Sequence, residues 1–119
     1  MSDYLATYTR SLADADAFWA EAASGISWDR RWDTVLDSSR APFYRWFVGG
    51  QLNTCFNAVD RHVERGRGKQ IALIYDSPVT GVVRSFTYAE LLHEVSRLAG
   101  ALRQLGLAKG DRVIIYMPM

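Results

Sequence analysis

The feature that most constrains the fold is a continuous apolar run at residues 113–117, Val-Ile-Ile-Tyr-Met, which follows an amphipathic helical pattern. A strand that is apolar on both faces belongs inside a sheet that helices cover on both sides. Only Pro118 and Met119 follow the run, which is too little chain to supply that cover. The sequence therefore predicts an α/β fold, with 113–117 as the first parallel strand of a larger protein whose chemistry lies beyond Met119.

The helix before this run has well-defined ends. Thr87 and Glu90 have the spacing of a capping box, and Gly106 stands where a glycine commonly ends a helix. The predicted apolar face consists of Leu91, Val95, Leu98, Leu102 and Leu105. Gly100, inside the helix, costs about 1 kcal/mol relative to Ala, so we expect another backbone to pack closely there.

Two short runs of β-forming residues precede the helix. Residues 70–75 and 82–86 flank a stretch that contains Pro78 and Gly81, which are typical turn residues. The spacing predicts an antiparallel hairpin with a loop of moderate length.

The N-terminal half is less regular. Ser11 and Asp14 have the spacing of a helix start, which predicts a first helix that continues to Ala23. Residues 24–50 are rich in aromatic side chains without a sustained period, and we expect an extended arm that lies across another surface. A second helix is predicted from an Asn53 cap to Gly66.

Composition excludes several classes of partner. The chain has 14 Lys and Arg against 13 Asp and Glu, a net charge of +1, so no overall field favours nucleic acid or an anionic membrane. No run approaches membrane-spanning length. The single cysteine, Cys55, cannot form an internal disulfide, and we expect it to be a packed, inert thiol in a cytoplasmic protein.

Candidate chemistry in the sequence is sparse. The Arg-Gly-Arg-Gly-Lys stretch at 65–69 could hold a phosphate, but it lacks the P-loop spacing and has Gln70 where a P-loop has Ser or Thr, so a solvated loop is favoured. His62 lies off the apolar stripe of its helix, and a solvent-facing position is favoured over a catalytic one. We therefore predict no catalytic, cofactor-binding or metal-binding residue in this chain.

Four stretches carry a family resemblance: PFYRWFVGGQLN at 42–53, NAVDRH at 57–62, FTYAEL at 86–91 and GDRVIIYMPM at 110–119. They resemble the N-terminal region of acetyl- and propionyl-CoA synthetases, which are adenylate-forming acyl-CoA ligases. The resemblance implies an N-terminal arm at 1–66 and the start of an AMP-binding domain at 67–119. The blocks at 17–21 and 36–43 look more like propionate ligases than acetate ligases.

The resemblance also implies an activity for the parent enzyme. It would join a short carboxylate to ATP with the help of Mg²⁺, form an acyl-adenylate, and transfer the acyl group to CoA. The groups that hold ATP and Mg²⁺ in this family lie downstream of the region, so we expect this chain to be inactive alone. Its partner would be the remainder of the ligase, and the isolated chain would self-associate through uncovered apolar edges.

Two other classes of function stay open from the sequence. One is a free-standing interaction module whose arm docks a partner protein, since the arm contains Trp28, Arg31, Trp32, Arg45 and Trp46, residue types common at interface hot spots. The other is a small nucleotide-binding domain, which rests only on residues 65–69.

Overall fold

The computed structural model describes residues 3–117 and divides into two compact units, Met1–Asn57 and Ala58–Met119. In chain order the regular elements are α1 (Tyr4–Ala13), α2 (Ala15–Ala23), β1 (Thr34–Asp37), β2 (Arg45–Val48), two π-helical segments (Phe56–Asp60 and Val63–Arg67), β3 (Ile71–Ser77), β4 (Val82–Thr87) and α3 (Tyr88–Gln104). The strands form two separate antiparallel pairs, β1 with β2 and β3 with β4. The mixture of helices and strands confirms the predicted α/β class.

The first predicted helix is in fact two. The Asp14 carboxylate accepts a hydrogen bond from the Ala17 amide at 2.9 Å and caps α2, while Asp3 caps the additional helix α1. Ser11 is not the cap that the sequence predicted. It lies inside α1, where its hydroxyl donates to the Tyr8 carbonyl at 2.8 Å, as a serine within a helix commonly does.

The expectation of an extended aromatic arm is wrong. Residues 34–48 form the β1–β2 hairpin, in which Thr34 lies opposite Val48 and Asp37 lies opposite Arg45. Each strand has only four residues. Strands this short do not show a readable alternation of polar and apolar residues, so no periodic signal marked them.

The helix predicted from Asn53 begins there, because the Phe56 amide donates to the Asn53 side-chain oxygen at 3.0 Å. It continues with π-helical geometry, in which Val59 is buried. Gly66 has a positive φ of 79° and breaks the second π-helical segment, close to the predicted end. Cys55 is exposed, so the expectation of a packed thiol is wrong.

The β3–β4 hairpin and the start of α3 follow the sequence prediction closely. β3 and β4 form the expected hairpin, with Ser77 paired to Val82 beside the loop. Thr87 and Glu90 form both hydrogen bonds of the capping box at the start of α3.

The end of α3 also follows the prediction. Gly106 has a φ of 90°, its amide donates to the Arg103 carbonyl at 3.0 Å, and the Leu107 amide donates to the Leu102 carbonyl at 3.1 Å. These two bonds are those of a Schellman motif. The expectation for Gly100 is not met: a Cβ added there would have no atom within 4 Å among the described residues.

The predicted final strand is not formed. Residues 111–117 belong to no helix or strand, and Val113, Ile114, Ile115, Tyr116 and Met117 are 56–99% exposed. A strand requires a hydrogen-bonded neighbour, and an apolar run does not supply one by itself. Within residues 3–117 only Ala23 and Val59 are buried apolar residues, so most apolar side chains of both units are open to solvent.

Candidate functional site

The densest cluster of the N-terminal unit is aromatic. The ring centroids of Trp28 and Trp32 are 4.9 Å apart, and Phe47 lies 5.5 Å from the first and 5.1 Å from the second. The indole N–H of Trp28 donates to the Ala23 carbonyl at 2.9 Å, which satisfies the one polar group of that ring. The three rings therefore stabilise the unit itself.

Asn57 joins the end of this unit to its first loop. The Ser27 amide donates to the Asn57 side-chain oxygen at 2.8 Å, and the Asn57 side-chain nitrogen donates to the Ser27 carbonyl at 2.8 Å. This reciprocal pair spans thirty residues of sequence. Asn57 thus has a structural role, and it belongs to one of the stretches that carried the family resemblance.

Asp37 is the most strongly perturbed acid of the N-terminal unit. The Ser39 side chain and the Arg45 guanidinium both donate to its carboxylate and lower its pKa to about 2. Arg45 Nη2 lies 2.8 Å from Asp37 Oδ2, and the Ser39 amide donates to Oδ1 at 3.0 Å. Because Asp37 and Arg45 are opposite each other at the ends of β1 and β2, the pair closes the hairpin beside its loop.

The glycine-rich stretch at 65–69 does not present a helix N-terminus to a phosphate. The first three amides of α3 already have acceptors: Tyr88 donates to the Gln70 carbonyl at 3.0 Å, Ala89 to the Gly68 carbonyl at 3.0 Å, and Glu90 to the Thr87 hydroxyl at 3.3 Å. Phosphate binding at a helix start uses such amides as donors. This arrangement opposes the nucleotide-binding hypothesis for this stretch and favours a loop that packs on α3.

His62 is half-buried beside the same helix start, so its predicted solvent-facing position is wrong in part. Its ring centroid is 4.7 Å from that of Tyr88, and the Arg67 Nη1 atom is 3.1 Å from His62 Nδ1. Burial lowers the pKa of His62, and the positive charges of Arg67, Arg61 and Arg65 lower it further. The sequence contained no signal for this group, since the helix that places it is irregular.

The prediction that this chain holds no catalytic or cofactor-binding residue stays a prediction. Among residues 3–117 no three His, Cys, Asp or Glu side chains form a group that could hold a metal ion. In the same part of the chain no helix combines the length and apolarity that a membrane span requires. The predicted cytoplasmic location stays a prediction.

Comparison with known families accounts for almost the whole chain. Residues 4–58 match the family described as the acetyl-coenzyme A synthetase N-terminus, and residues 59–119 match the family described as AMP-binding enzyme. The chain belongs to the AMP-binding enzyme family. The N-terminal match and the similarity to short-chain acyl-CoA synthetases confirm the predicted resemblance. The predicted domain boundary between residues 66 and 67 stays a prediction.

Individual relatives agree with this assignment. The chain is 52% identical over 118 residues to the human mitochondrial acyl-CoA synthetase short-chain family member 3, and 49% identical over 112 residues to acetyl-coenzyme A synthetase of Mycobacterium bovis. These alignments cover 99% and 94% of this chain. An uncharacterized protein of Pseudomonas aeruginosa is 53% identical over 116 residues, which is 98% of this chain. The chain spans only 17–18% of the length of these relatives.

Proposed function

We propose that this chain is the N-terminal part of an ATP-dependent ligase that joins a short carboxylate to CoA through an acyl-adenylate. The observation that carries the proposal is the unbroken succession of the two family matches, from residue 4 to residue 119. The relatives named as acyl-CoA and acetyl-CoA synthetases support it, because they align over nearly all of this chain.

The proposed reaction has two steps. The carboxylate oxygen attacks the α-phosphorus of ATP, the bond to the β-phosphate oxygen breaks, and the products are an acyl-adenylate and pyrophosphate. The CoA thiol then loses its proton and attacks the acyl carbon, AMP leaves, and a thioester remains. Neither step changes an oxidation state, so no redox cofactor is required.

The residues of this chain are proposed to support the reaction without carrying it. Mg²⁺ prefers several oxygen ligands, but residues 3–117 contain no group of three acidic, His or Cys side chains that could hold a metal ion. We propose, from the family resemblance, that the Mg²⁺ ligands and the catalytic groups belong to the remainder of the ligase. Its proposed role is to build and cover the start of the AMP-binding domain.

The proposed partner is the remainder of the ligase. Ile114, Ile115 and Tyr116 are 88%, 80% and 99% exposed, and apolar runs of this kind are normally paired within a sheet. Without that cover we propose that the chain self-associates through the same run. Sedimentation velocity of the isolated chain at several concentrations tests this, and a single monomeric species at every concentration would contradict it.

Propionate is the proposed substrate in preference to acetate. The sequence blocks at 17–21 and 36–43 support this choice by their likeness to propionate ligases. A comparison of kcat/KM for the two carboxylates tests this preference.

The decisive experiment is carboxylate-dependent exchange of labelled pyrophosphate into ATP. It should be run on the full-length gene product and on this chain, with propionate and acetate in parallel. Exchange by the full product alone supports the ligase and the supporting role of this chain, and a higher kcat/KM for propionate supports the preference. Exchange catalysed by the isolated chain would overturn its supporting role. The absence of exchange with both proteins would overturn the ligase proposal.

A further inference from the structure

A contact between His62 and Arg67 ties the residues after the second π-helical segment to the start of α3. Arg67 Nε donates to the Gln70 side-chain oxygen at 2.7 Å, and its guanidinium carbon lies 5.5 Å from the centre of the Tyr88 ring. The Gln70 carbonyl in turn accepts the Tyr88 amide at 3.0 Å. Arg67 thus contacts His62, Gln70 and Tyr88 together.

The geometry defines the charge state in which this contact can exist. A guanidinium has only donors, so the Nδ1 atom of His62 must accept at the 3.1 Å separation from Arg67 Nη1. An imidazole can accept at Nδ1 only when it is neutral and carries its proton on Nε2. A second proton on the ring would remove the acceptor and place two like charges in contact.

We propose that the His62–Arg67 contact is a pH-sensitive latch, closed when the His62 ring is neutral and opened by its protonation, which holds residues 67–70 on the first turn of α3. The proposal is independent of the ligase reaction, since it concerns the packing of one loop. It depends on residues of the C-terminal unit alone.

The charged groups around His62 favour opening of the latch when the His62 ring is protonated. Arg61 and Arg65 flank it in sequence, Arg67 lies on its Nδ1 side, and Tyr88 is the titratable group that packs against it from α3. None of the three arginines can lose its charge at ordinary pH to relieve the repulsion. Acidification therefore acts on the latch through the imidazole.

An NMR titration between pH 8 and about pH 5, a range that brackets the ordinary histidine pKa, tests the proposal on this chain. The His62 ring should show a bare Nδ1 and a protonated Nε2 in its ¹⁵N spectrum at high pH, and should titrate with a midpoint below the ordinary 6.5. The backbone amides of Tyr88 and Ala89, whose acceptors are the Gln70 and Gly68 carbonyls, should change with the same midpoint.

Three variants separate the latch from a general effect of pH. In His62→Gln the amide side chain can accept from Arg67 but cannot titrate, so the transition of the Tyr88 and Ala89 amides should disappear. In Arg67→Gln the positive charge is lost, so the His62 midpoint should rise and the two amides should no longer follow it. His93→Gln changes the only other histidine. It should leave both the His62 titration and the transition of the Tyr88 and Ala89 amides in place.

Several results would overturn the proposal. A His62 midpoint at or above 6.5, a proton on Nδ1 at high pH, or an amide transition that survives in His62→Gln would each show that the contact does not act as a latch. An amide transition that His93→Gln abolishes would assign the effect to His93.

Discussion

The Asp33 carboxylate lies where a Cβ atom on Gly49 would have to stand. Arg30 holds it there, with its Nη2 atom 3.0 Å from Asp33 Oδ2. Gly49 also has a positive φ of 79°, a conformation that residues with a side chain rarely adopt. The turn after β2 therefore favours glycine by its backbone conformation, and an added Cβ would also push the exposed Asp33 carboxylate aside.

Gly49→Ala should destabilise the N-terminal unit. The left-handed conformation costs a residue with a Cβ about 1–2 kcal/mol, and the displaced Asp33 would also lose its contact with Arg30. All four tryptophans lie in this unit, so urea unfolding followed by tryptophan fluorescence reports on it directly. Gly25→Ala is the control within the same unit, since Gly25 has no positive φ and a Cβ there would have only the Ala22 carbonyl within 4 Å, at an ordinary 3.5 Å. An unchanged fluorescence midpoint in Gly49→Ala would contradict the predicted backbone strain at this position.

Local signals made the β3–β4 hairpin and α3 predictable. Thr87 and Glu90, three residues apart, mark the start of α3, and Gly106 marks its end. Both ends can therefore be predicted without knowing any distant contact. The β3–β4 hairpin is likewise set by adjacent runs and the turn between them. The capped helix and this hairpin were therefore recovered from sequence alone.

Thr87→Ala should shorten or weaken α3. The Thr87 hydroxyl accepts the Glu90 amide at 3.3 Å, and losing such a cap costs about 1 kcal/mol. Thr87→Ser keeps the hydroxyl and is the matched control. Circular dichroism at 222 nm during thermal unfolding measures the difference. Equal melting temperatures for the two variants would show that the cap does not stabilise the helix.

The same cap predicts a dependence on pH. Hydrogen bonds from the backbone and side chain of Thr87 lower the pKa of Glu90 below its ordinary 4.5. The stabilisation that Glu90 provides is thus complete above pH 4.5 and is lost as the pH falls through the lowered value. Glu90→Gln should be less stable than the parent at neutral pH, and the gap should narrow under acid. A constant gap would contradict the assignment.

Asp37 gives a second acid-sensitive contribution, in the N-terminal unit. Its pKa is lowered from 3.8 to about 2, so the stabilisation is present above pH 3.8 and is lost as the pH falls toward 2. Asp37→Asn should therefore be less stable than the parent at pH 5 by tryptophan fluorescence, with the gap closing on acidification. Arg45→Gln should raise the Asp37 pKa, measured by NMR of its carboxyl carbon. An Asp37 pKa near 3.8 in the parent chain would refute the pairing.

The parts that the sequence did not reveal depend on distant contacts. Trp28 and Phe47 meet across nineteen residues, and neither belongs to a periodic pattern that would place it in a strand or on a helix face. The contact between His62 and Tyr88 depends on an irregular, π-helical segment, and no sequence pattern predicts that geometry. Residues 113–117 show the opposite case, where a strong apolar pattern lacks the neighbouring strand that would give it structure.

Gly100→Ala tests whether α3 is covered by more protein than this chain contains. A Cβ at Gly100 would have nothing within 4 Å among the described residues, so in this chain alanine should stabilise α3 by about 0.8–1.0 kcal/mol through its higher helix propensity. In the full-length product the sign should reverse if another backbone packs closely against Gly100. Thermal unfolding of both proteins, each with and without the substitution, measures this. Gly106→Ala, at a φ of 90°, should destabilise α3 in either protein and serves as the control. Stabilisation of the same size in both would show that the glycine makes no close contact in the longer protein.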